Sequence, residues 1–134
     1  MSEPRQVVDR LAEALVTNDP QTAADIYAED CVIVDPKFDV VGRDGALEAF
    51  TYYFDAFQVE RVDVKETIEQ GDSIAVHWEW EGVHKGEYMG IAPTGKRVKT
   101  WNVVFFRVAD GHVKRDLSTW DVSQYLDLTG EGEA

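Results

Sequence analysis

Hydrophobic residues recur at helical spacing in the first part of the chain. Ser2, followed by Pro4, is a start signal, and the periodicity predicts an amphipathic helix that ends at about Thr17. After a break at Asn18, Asp19 and Pro20 are suited to cap and begin a second, short helix. The apolar positions of these two helices are Val7, Val8, Leu11 and Leu15, then Ala23, Ala24 and Tyr27.

A short strand and a third helix are predicted next. Residues 31–34 are rich in β-branched side chains, and Asp35 and Pro36 end this strand in an extended turn. The third helix begins at Gly42, with Asp44 near its start. Its apolar stripe consists of Leu47, Phe50, Phe54 and Phe57.

From Val59 onward the hydrophobic period is two, which is typical of strands. Four long strands are predicted, at residues 59–69, 73–84, 97–109 and 112–121. Residues 70–72 and the pair Asp110 and Gly111 are hairpin signals. The first of these strands is expected to place Val62 and Val64, and further along Glu66 and Ile68, on one face.

Helices followed by a meander of strands predict an α+β fold. In it, a curved, mostly antiparallel sheet is covered on one face by the three N-terminal helices, which leaves a cone-shaped cavity. Alternation along the strands assigns inner and outer faces. Trp78, Trp80, Asn102, Val104 and Phe106 are expected inside, and on the last strand Lys114, Asp116, Ser118 and Trp120 oppose Val113, Arg115 and Leu117.

The predicted outer face of the sheet is too apolar to lie in water alone. It carries Trp101, Val103, Phe105 and Leu117. An exposed apolar patch of this kind marks an interaction surface, so we expect a homodimer formed through this face.

Composition and charge narrow the classes of function. A chain of 134 residues that is 44% hydrophobic suits one domain, expected at residues 1–128, with a loose acidic tail at 129–134. The net charge of −13 disfavours nucleic acid and anionic membranes as partners. Neither a membrane-spanning run nor a signal peptide is visible, so a cytoplasmic protein is expected. Because the chain has a single cysteine, Cys31, an internal disulfide is excluded. We expect Cys31 to be a buried structural thiol.

The segment GVHKGEYMGIAPTGK, residues 82–96, carries the most specific motif. It is similar to the pattern G-x-H-x-G-x-F/Y-x-G-x-x-P-T-G-K/R of SnoaL-like polyketide cyclases, which belong to the nuclear transport factor 2-like superfamily. Asp35 and Pro36, Gly42 and Arg43, and the ending from Phe106 through Asp110 and Gly111 to Trp120 and Asp121 also match. The resemblance covers nearly the whole chain, and it implies the same cone of helices and antiparallel sheet.

The resemblance also implies a catalytic carboxylate in the last strand. Members of the family commonly carry E-H-W-D there, with an acidic residue that acts as general acid/base on a polyketide. Aligned on the shared Asp-Gly hairpin, that acidic position falls on Ser118, and a carboxylate occurs one step along the same face, at Asp116. Ketosteroid isomerases share the scaffold, but the positions that would match their oxyanion hole are Leu11 and Val104, which cannot donate hydrogen bonds.

Asp116 is therefore the first candidate for acid/base catalysis, since burial beside Ser118 and Trp120 would raise its pKa. The alternative is a strand carboxylate that is paired with Lys114, Lys99 or Arg97, or that simply faces solvent. His84, near the cavity mouth, could orient a substrate oxygen or move a proton, or only bond to backbone. Asp35 is a possible second carboxylate, although an Asx turn alone explains it. Expected substrate contacts are Trp78, Trp80, Asn102, Phe106, Ser118, Trp120 and Tyr53.

Neither a metal nor a cofactor is expected, since the histidines have no ligand spacing and no phosphate loop is present. Three functions remain open. The first is a small cofactor-independent acid/base enzyme of the cyclase, isomerase or lyase type, acting on a hydrophobic carbonyl compound. The second is a domain that binds a small hydrophobic molecule without turnover. The third is a structural dimer whose own side chains fill the cone.

Overall fold

The structure, a computed structural model, describes residues 2–119 of the chain. Within that range it contains three helices, α1 to α3, and six strands, β1 to β6, and this α+β architecture is the predicted one. The helices are α1 (Glu3–Leu15), α2 (Pro20–Ala24) and α3 (Gly42–Ala56). The strands are β1 (Tyr27–Val34), β2 (Asp39–Val41), β3 (Phe57–Gln70), β4 (Ser73–His84), β5 (Arg97–Ala109) and β6 (His112–Thr119). Trp120 and the expected tail at 129–134 lie outside the described residues.

The first two helices begin where their capping residues predict. The Ser2 side chain accepts a hydrogen bond from the Arg5 N–H, and the Asp19 carboxylate accepts one from Gln21. Each cap satisfies a backbone donor that the first helical turn leaves without a partner. Because α1 buries its apolar stripe against the sheet, it covers the inner face, as do α2 and α3.

The strands form one sheet in the order β2-β1-β6-β5-β4-β3. All neighbours are antiparallel except β1 and β6, which run parallel. The pairings align one inward row across the middle of the sheet, made of Ile33, Asp116, Phe106 and Ile74. Asp116 thus lies between two apolar side chains, Ile33 and Phe106.

The region around β1 differs from the prediction. Tyr27 was expected in the second helix, but it begins β1, and β2 was not predicted at all. The parallel pairing with β6 draws the chain into the sheet early, since Tyr27 aligns with Val113 and the Val113 N–H donates to the Ile26 carbonyl. Phe57, expected at the end of the third helix, is the first residue of β3.

Bulges overturn two face assignments. An irregularity opposite Arg107 and Val108 shifts the register of β6, so Val113 points inward like Asp116, whereas alternation had placed them on opposite faces. An irregularity between Val64 and Glu66 in β3 does the same, and Ile68 is 68% exposed rather than sharing the inner face with Val62. An extra residue in one strand reverses the parity of everything beyond it.

The backbone at Gly82 and Gly86 packs directly against the backbone at the junction of α3 and β3, and we call this contact the backbone joint. A Cβ atom on Gly82 would overlap the carbonyl oxygen of Gln58, and one on Gly86 would overlap that of Asp55. The N–H groups of Lys85 and Gly86 both donate to the Ala56 carbonyl. The two glycines of the 82–96 motif therefore permit a close approach of backbones.

The outer face carries an apolar band, which we define as Val34, Leu117, Phe105, Val103 and Trp101. Val34 aligns with Leu117, and Leu117 aligns with Phe105, so three of its members form one row across β1, β6 and β5. Phe105 is 50% exposed, and Trp101 and Leu117 are exposed to nearly the same extent. None of the helices in the described part of the chain is long and apolar enough to cross a membrane.

Candidate active site

A cavity of about 140 Å³ lies between the helices and the inner face of the sheet. Its walls are mainly aliphatic and aromatic, and its polar groups are few. The polar or polar-tipped lining residues are Tyr27, Asp35, Tyr53, Trp78, Trp80, Asn102, Asp116 and Ser118. Among the described residues, no Lys, Arg or His lines this cavity.

Asp116 is a buried carboxylate in the wall of this cavity, only 8% exposed. The Tyr27 hydroxyl donates to its Oδ2 at 2.5 Å, and the Ser118 hydroxyl donates to its Oδ1. Asp116 forms no ion pair with a cation in the described part of the chain. Its partners are therefore neutral hydroxyls, and the alternative of a Lys- or Arg-paired strand carboxylate does not describe it.

Burial raises the pKa of Asp116 from its ordinary value of 3.8 to about 6. The hydrogen bonds from Ser118 and Tyr27 act in the opposite direction because they stabilise the anion, and the charge of Asp35 adds a smaller increase. A carboxyl group with a pKa near 6 exchanges its proton close to neutral pH, which suits general acid/base catalysis.

Tyr27 remains a hydrogen-bond donor throughout this pH range. Burial, and secondly the negative charge of Asp116, raise its pKa well above the ordinary value of 10.0. Its ring packs edge-on against Phe50, with centroids 5.5 Å apart, and its carbonyl accepts a hydrogen bond from Arg43 Nε at 3.0 Å. These contacts fix the hydroxyl at the Asp116 carboxylate.

Asp35 lies in the wall of the same cavity, immediately after β1. Its Oδ1 accepts from the backbone N–H groups of Lys37 at 2.8 Å and Phe38 at 2.6 Å, which is the expected Asx turn. Its Oδ2 accepts from the Tyr53 hydroxyl at 3.1 Å. The structure therefore brings Asp35 and Asp116 together around one cavity and gives each carboxylate a tyrosine donor.

Two tryptophans of β4 form another part of the wall. Trp80 Nε1 donates to Asn102 Oδ1 at 3.1 Å, and both side chains line the cavity. Trp78 also lines it, and Phe106, expected to contact substrate, instead stands behind Trp78 with ring centroids 5.9 Å apart. Phe106 thus supports the wall without being part of it.

His84 is not among the residues that line the cavity, and its expected position at the mouth was wrong. It is fully buried at the far end of β4, ten residues along that strand from Ile74, which lies level with Asp116. Its Nδ1 accepts from the Thr94 N–H at 3.2 Å, and its backbone bonds Gly95 and Lys96. Burial lowers its pKa, so the ring is neutral and holds the loop that follows β4.

Tyr27 is the site residue that sequence reasoning missed. In the sequence, Tyr27 is only a tyrosine at an apolar position of the pattern. A tyrosine that simply packs in the core has the same pattern, so the sequence does not distinguish the two roles. Its position became meaningful only through the pairing of β1 with β6, which brings residues 89 positions apart into contact. In the described range, no group of three or more His, Cys, Asp and Glu side chains is placed to hold a metal ion.

Comparison with known proteins agrees with this geometry. The sequence model of the family described as SnoaL-like polyketide cyclase matches residues 5–129. A search among curated proteins finds no significant match.

Three solved structures illustrate the likeness of fold. A putative hydroxylase from Streptomyces galilaeus, AclR, superposes with a TM-score of 0.83 at 22% identity, covering 100% of this chain and 85% of that one. A putative polyketide cyclase from Streptomyces antibioticus, IdmH, gives 0.79 at 25% identity, covering 96% and 99%. A protein from Catenulispora acidiphila with a ketosteroid isomerase-like fold, solved in complex with trimethylamine, gives 0.78 at 17% identity, covering 92% of each chain.

Proposed function

The chain belongs to the SnoaL-like polyketide cyclase family, and from that premise we propose that it is a small acid/base enzyme acting on a hydrophobic carbonyl compound. The reaction would be a cyclisation, isomerisation or elimination that begins with removal of a proton next to the carbonyl. The observation that carries this proposal is Asp116, a carboxylate with a pKa of about 6 in the wall of an apolar cavity.

In the proposed step, the ionised Asp116 carboxylate accepts a proton from the carbon next to the substrate carbonyl. The electron pair of that C–H bond forms the enolate. The enolate then attacks a second carbonyl or is reprotonated, and Asp116 returns the proton to the product. General acid/base groups of this kind contribute ~10²–10⁴-fold in rate.

Asn102 supports the binding of an oxygen in the cavity. An indole N–H can only donate, so the hydrogen bond from Trp80 requires the amide oxygen of Asn102 to face Trp80. The NH₂ group of Asn102 is then left to donate to a carbonyl oxygen of the substrate. This hydrogen bond would orient the substrate rather than supply the proton.

The size of the cavity supports a small or partly inserted ligand. At about 140 Å³ it is similar to engineered apolar cavities of ~150 Å³ that hold a benzene-sized molecule. One ring or a short acyl segment therefore fits between the aromatic walls.

A domain that binds such a ligand without turnover is the second candidate. The observation that favours it is Ser118, which occupies the position of the family's acidic residue. The binding and enzyme hypotheses share the cavity and differ only in whether Asp116 moves a proton.

Asp116→Asn separates these two hypotheses. The amide keeps the shape of the side chain and removes the proton acceptor, so proton exchange should fall ~10²–10⁴-fold while ligand affinity stays nearly unchanged. The measurement is deuterium incorporation from heavy water into small hydrophobic ketones, followed by NMR. Affinity is measured by quenching of the fluorescence of Trp78 and Trp80.

Asp110→Asn is the matched control, since Asp110 is exposed in the β5–β6 hairpin. It should change neither exchange nor affinity. Equal exchange rates for Asp116→Asn and the unmodified protein would reject the enzyme hypothesis and favour the hypothesis of a binding domain. If the protein binds no ketone at all, only the hypothesis of a structural dimer remains.

We also propose that two copies of the chain form a homodimer through the outer apolar band. The exposure of Phe105, Trp101 and Leu117 on one face supports this assembly.

A further inference from the structure

We propose that Tyr27 is a positioning residue for Asp116. Its hydroxyl fixes one carboxylate oxygen and, together with Ser118, directs the remaining lone pairs of the carboxylate toward the cavity. The catalytic meaning of this arrangement rests on the proposed function, but the arrangement itself can be tested without a substrate.

The two carboxylate oxygens of Asp116 have separate partners. Tyr27 donates to Oδ2 and Ser118 donates to Oδ1, so each oxygen keeps lone-pair capacity for a proton. The hydrogen bond from Tyr27 restricts rotation of the carboxylate, and the Ser118 hydroxyl adds a contact to the other oxygen. Because Asp116 lines the cavity, its carboxylate is within reach of a ligand bound there.

Tyr27 and Ser118 are not equivalent partners. A serine hydroxyl can rotate and either donate or accept. The Tyr27 ring is held by Phe50 and by the bond from Arg43 to its carbonyl, and it is 1% exposed. Tyr27 is therefore the more rigid of the two donors to Asp116.

This donor offsets part of the cost of burying the charge. Loss of water around Asp116 favours the protonated form, and hydroxyl donors favour the ionised form. Without Tyr27, the carboxyl group would hold its proton to higher pH and become a poorer acceptor at neutrality.

The other ionisable groups near Asp116 do not replace this effect. Asp35, just after β1, is the other carboxylate of the cavity wall, and its charge acts in the opposite direction. Cys31 on β1 has a pKa raised by burial, so its thiol is neutral. Among the described residues, no Lys, Arg or His lies in the part of the wall that is formed by α1, α3, β3, β4 and β5.

The experiment is a ¹³C NMR titration of protein labelled at the aspartate carboxyl carbons. Asp116 is the resonance that disappears in Asp116→Asn, and in the unmodified protein we expect it to titrate near pH 6. Tyr27→Phe removes only the hydroxyl and should raise that midpoint by about one pH unit, the equivalent of one hydrogen bond to a charged group. Ser118→Ala should raise it in the same direction.

Tyr52→Phe is the matched control, since the Tyr52 hydroxyl accepts from the Met89 N–H, outside the Asp116 site. It should leave the midpoint unchanged. An unchanged or lowered midpoint in Tyr27→Phe would overturn the proposal. A general loosening of the fold would expose Asp116 to water and lower its titration midpoint toward 3.8. Loss of the Tyr27 donor should raise the midpoint, so the two effects have opposite signs.

If Tyr27→Phe does not fold, the unmodified protein still provides a test. In protein labelled at the tyrosine ζ carbon, the Tyr27 resonance should shift with the same midpoint as Asp116, because its hydroxyl bonds to that carboxylate. A Tyr27 resonance that is insensitive to the Asp116 titration would overturn the proposal. Loss of ketone exchange in Asp116→Asn is a separate result, so the proposed function and this inference can fail independently.

Discussion

At the scale of single residues, the burial of Asp116 makes the stability of the fold depend on pH. Its pKa is about 6 in the folded protein and 3.8 when exposed, so the folded state binds the proton more tightly. The contribution to stability is complete below pH 3.8 and is lost as the pH rises through 6. At neutral pH, the folded protein carries the cost of a buried anion.

Asp116→Asn should therefore stabilise the protein at pH 7, by up to about 3 kcal/mol for a shift of two pKa units. The gain should shrink to about 0.6 kcal/mol at pH 4, where the carboxyl group is protonated in the folded state and about 60% ionised in the unfolded state. Urea denaturation of both proteins at the two pH values measures this difference. A gain of the same size at pH 4 would show that the charge of Asp116 is not its source.

Strand alternation and the resemblance to the family together predicted part of the site. The family's acidic position, at Ser118, led to the carboxylate one step along the same face, Asp116, and Asp35, Trp78, Trp80 and Asn102 also line the cavity. Tyr27 was missed because its role depends on a partner far away in the chain. His84 was assigned to the mouth because it lies beyond Trp80 along the strand, whereas its ring bonds the backbone of a loop.

At the scale of elements, local signals determined what could be predicted. Hairpin turns at residues 70–72 and 110–111 bracket uninterrupted period-two runs, and β4 and β5 begin and end where they were expected. β1 begins at Tyr27 because of its pairing with β6, far away in the chain, which local periodicity does not encode. β2 is an edge strand of three residues, too short to show a period. The irregularities in β3 and β6 break alternation without any glycine or proline to signal them.

The backbone joint at Gly82 and Gly86 gives the prediction at this scale. Gly86→Ala should destabilise the protein by about 3 kcal/mol or more, since a Cβ atom would meet rigid backbone at Asp55 and force β4 away from α3. Thermal unfolding, followed by circular dichroism, measures the loss.

Gly71→Ala is the comparison for this variant. It lies in the β3–β4 hairpin with φ of 59° and has no neighbour within 4 Å of a Cβ atom. Only the left-handed conformation is disfavoured there, at about 1–2 kcal/mol. Equal losses for the two variants would mean that the close approach at Gly86 is not required.

At the scale of the whole molecule, the outer apolar band and the net charge oppose each other. Two copies that bury the band each bring a net charge of −13. Salt weakens repulsion between the copies, with a Debye length of about 10 Å at 0.1 M, so the dimer should tighten as salt is added.

Phe105→Glu should give a monomer or an insoluble chain, because it puts a charge at the most exposed residue of the band. Light scattering at micromolar concentration measures the mass of each variant. Val16→Glu is the control, since Val16 is 41% exposed at the end of α1, away from the band. A monomer in the unmodified protein, at low and at high salt, would reject the dimer.

The joint at Gly82 and Gly86 has a consequence for how this scaffold can acquire new activities. The elements meet there through backbone atoms, and the close neighbours of the two glycines include none of the polar cavity residues Asn102, Asp116 and Ser118. Substitutions at Asn102, Asp116 or Ser118 therefore leave the joint intact, and architecture and reactivity can vary separately. A protein engineer could keep residues 82–96 constant and randomise the residues of the cavity wall. Variants with the same fold could then be selected for activity on different substrates.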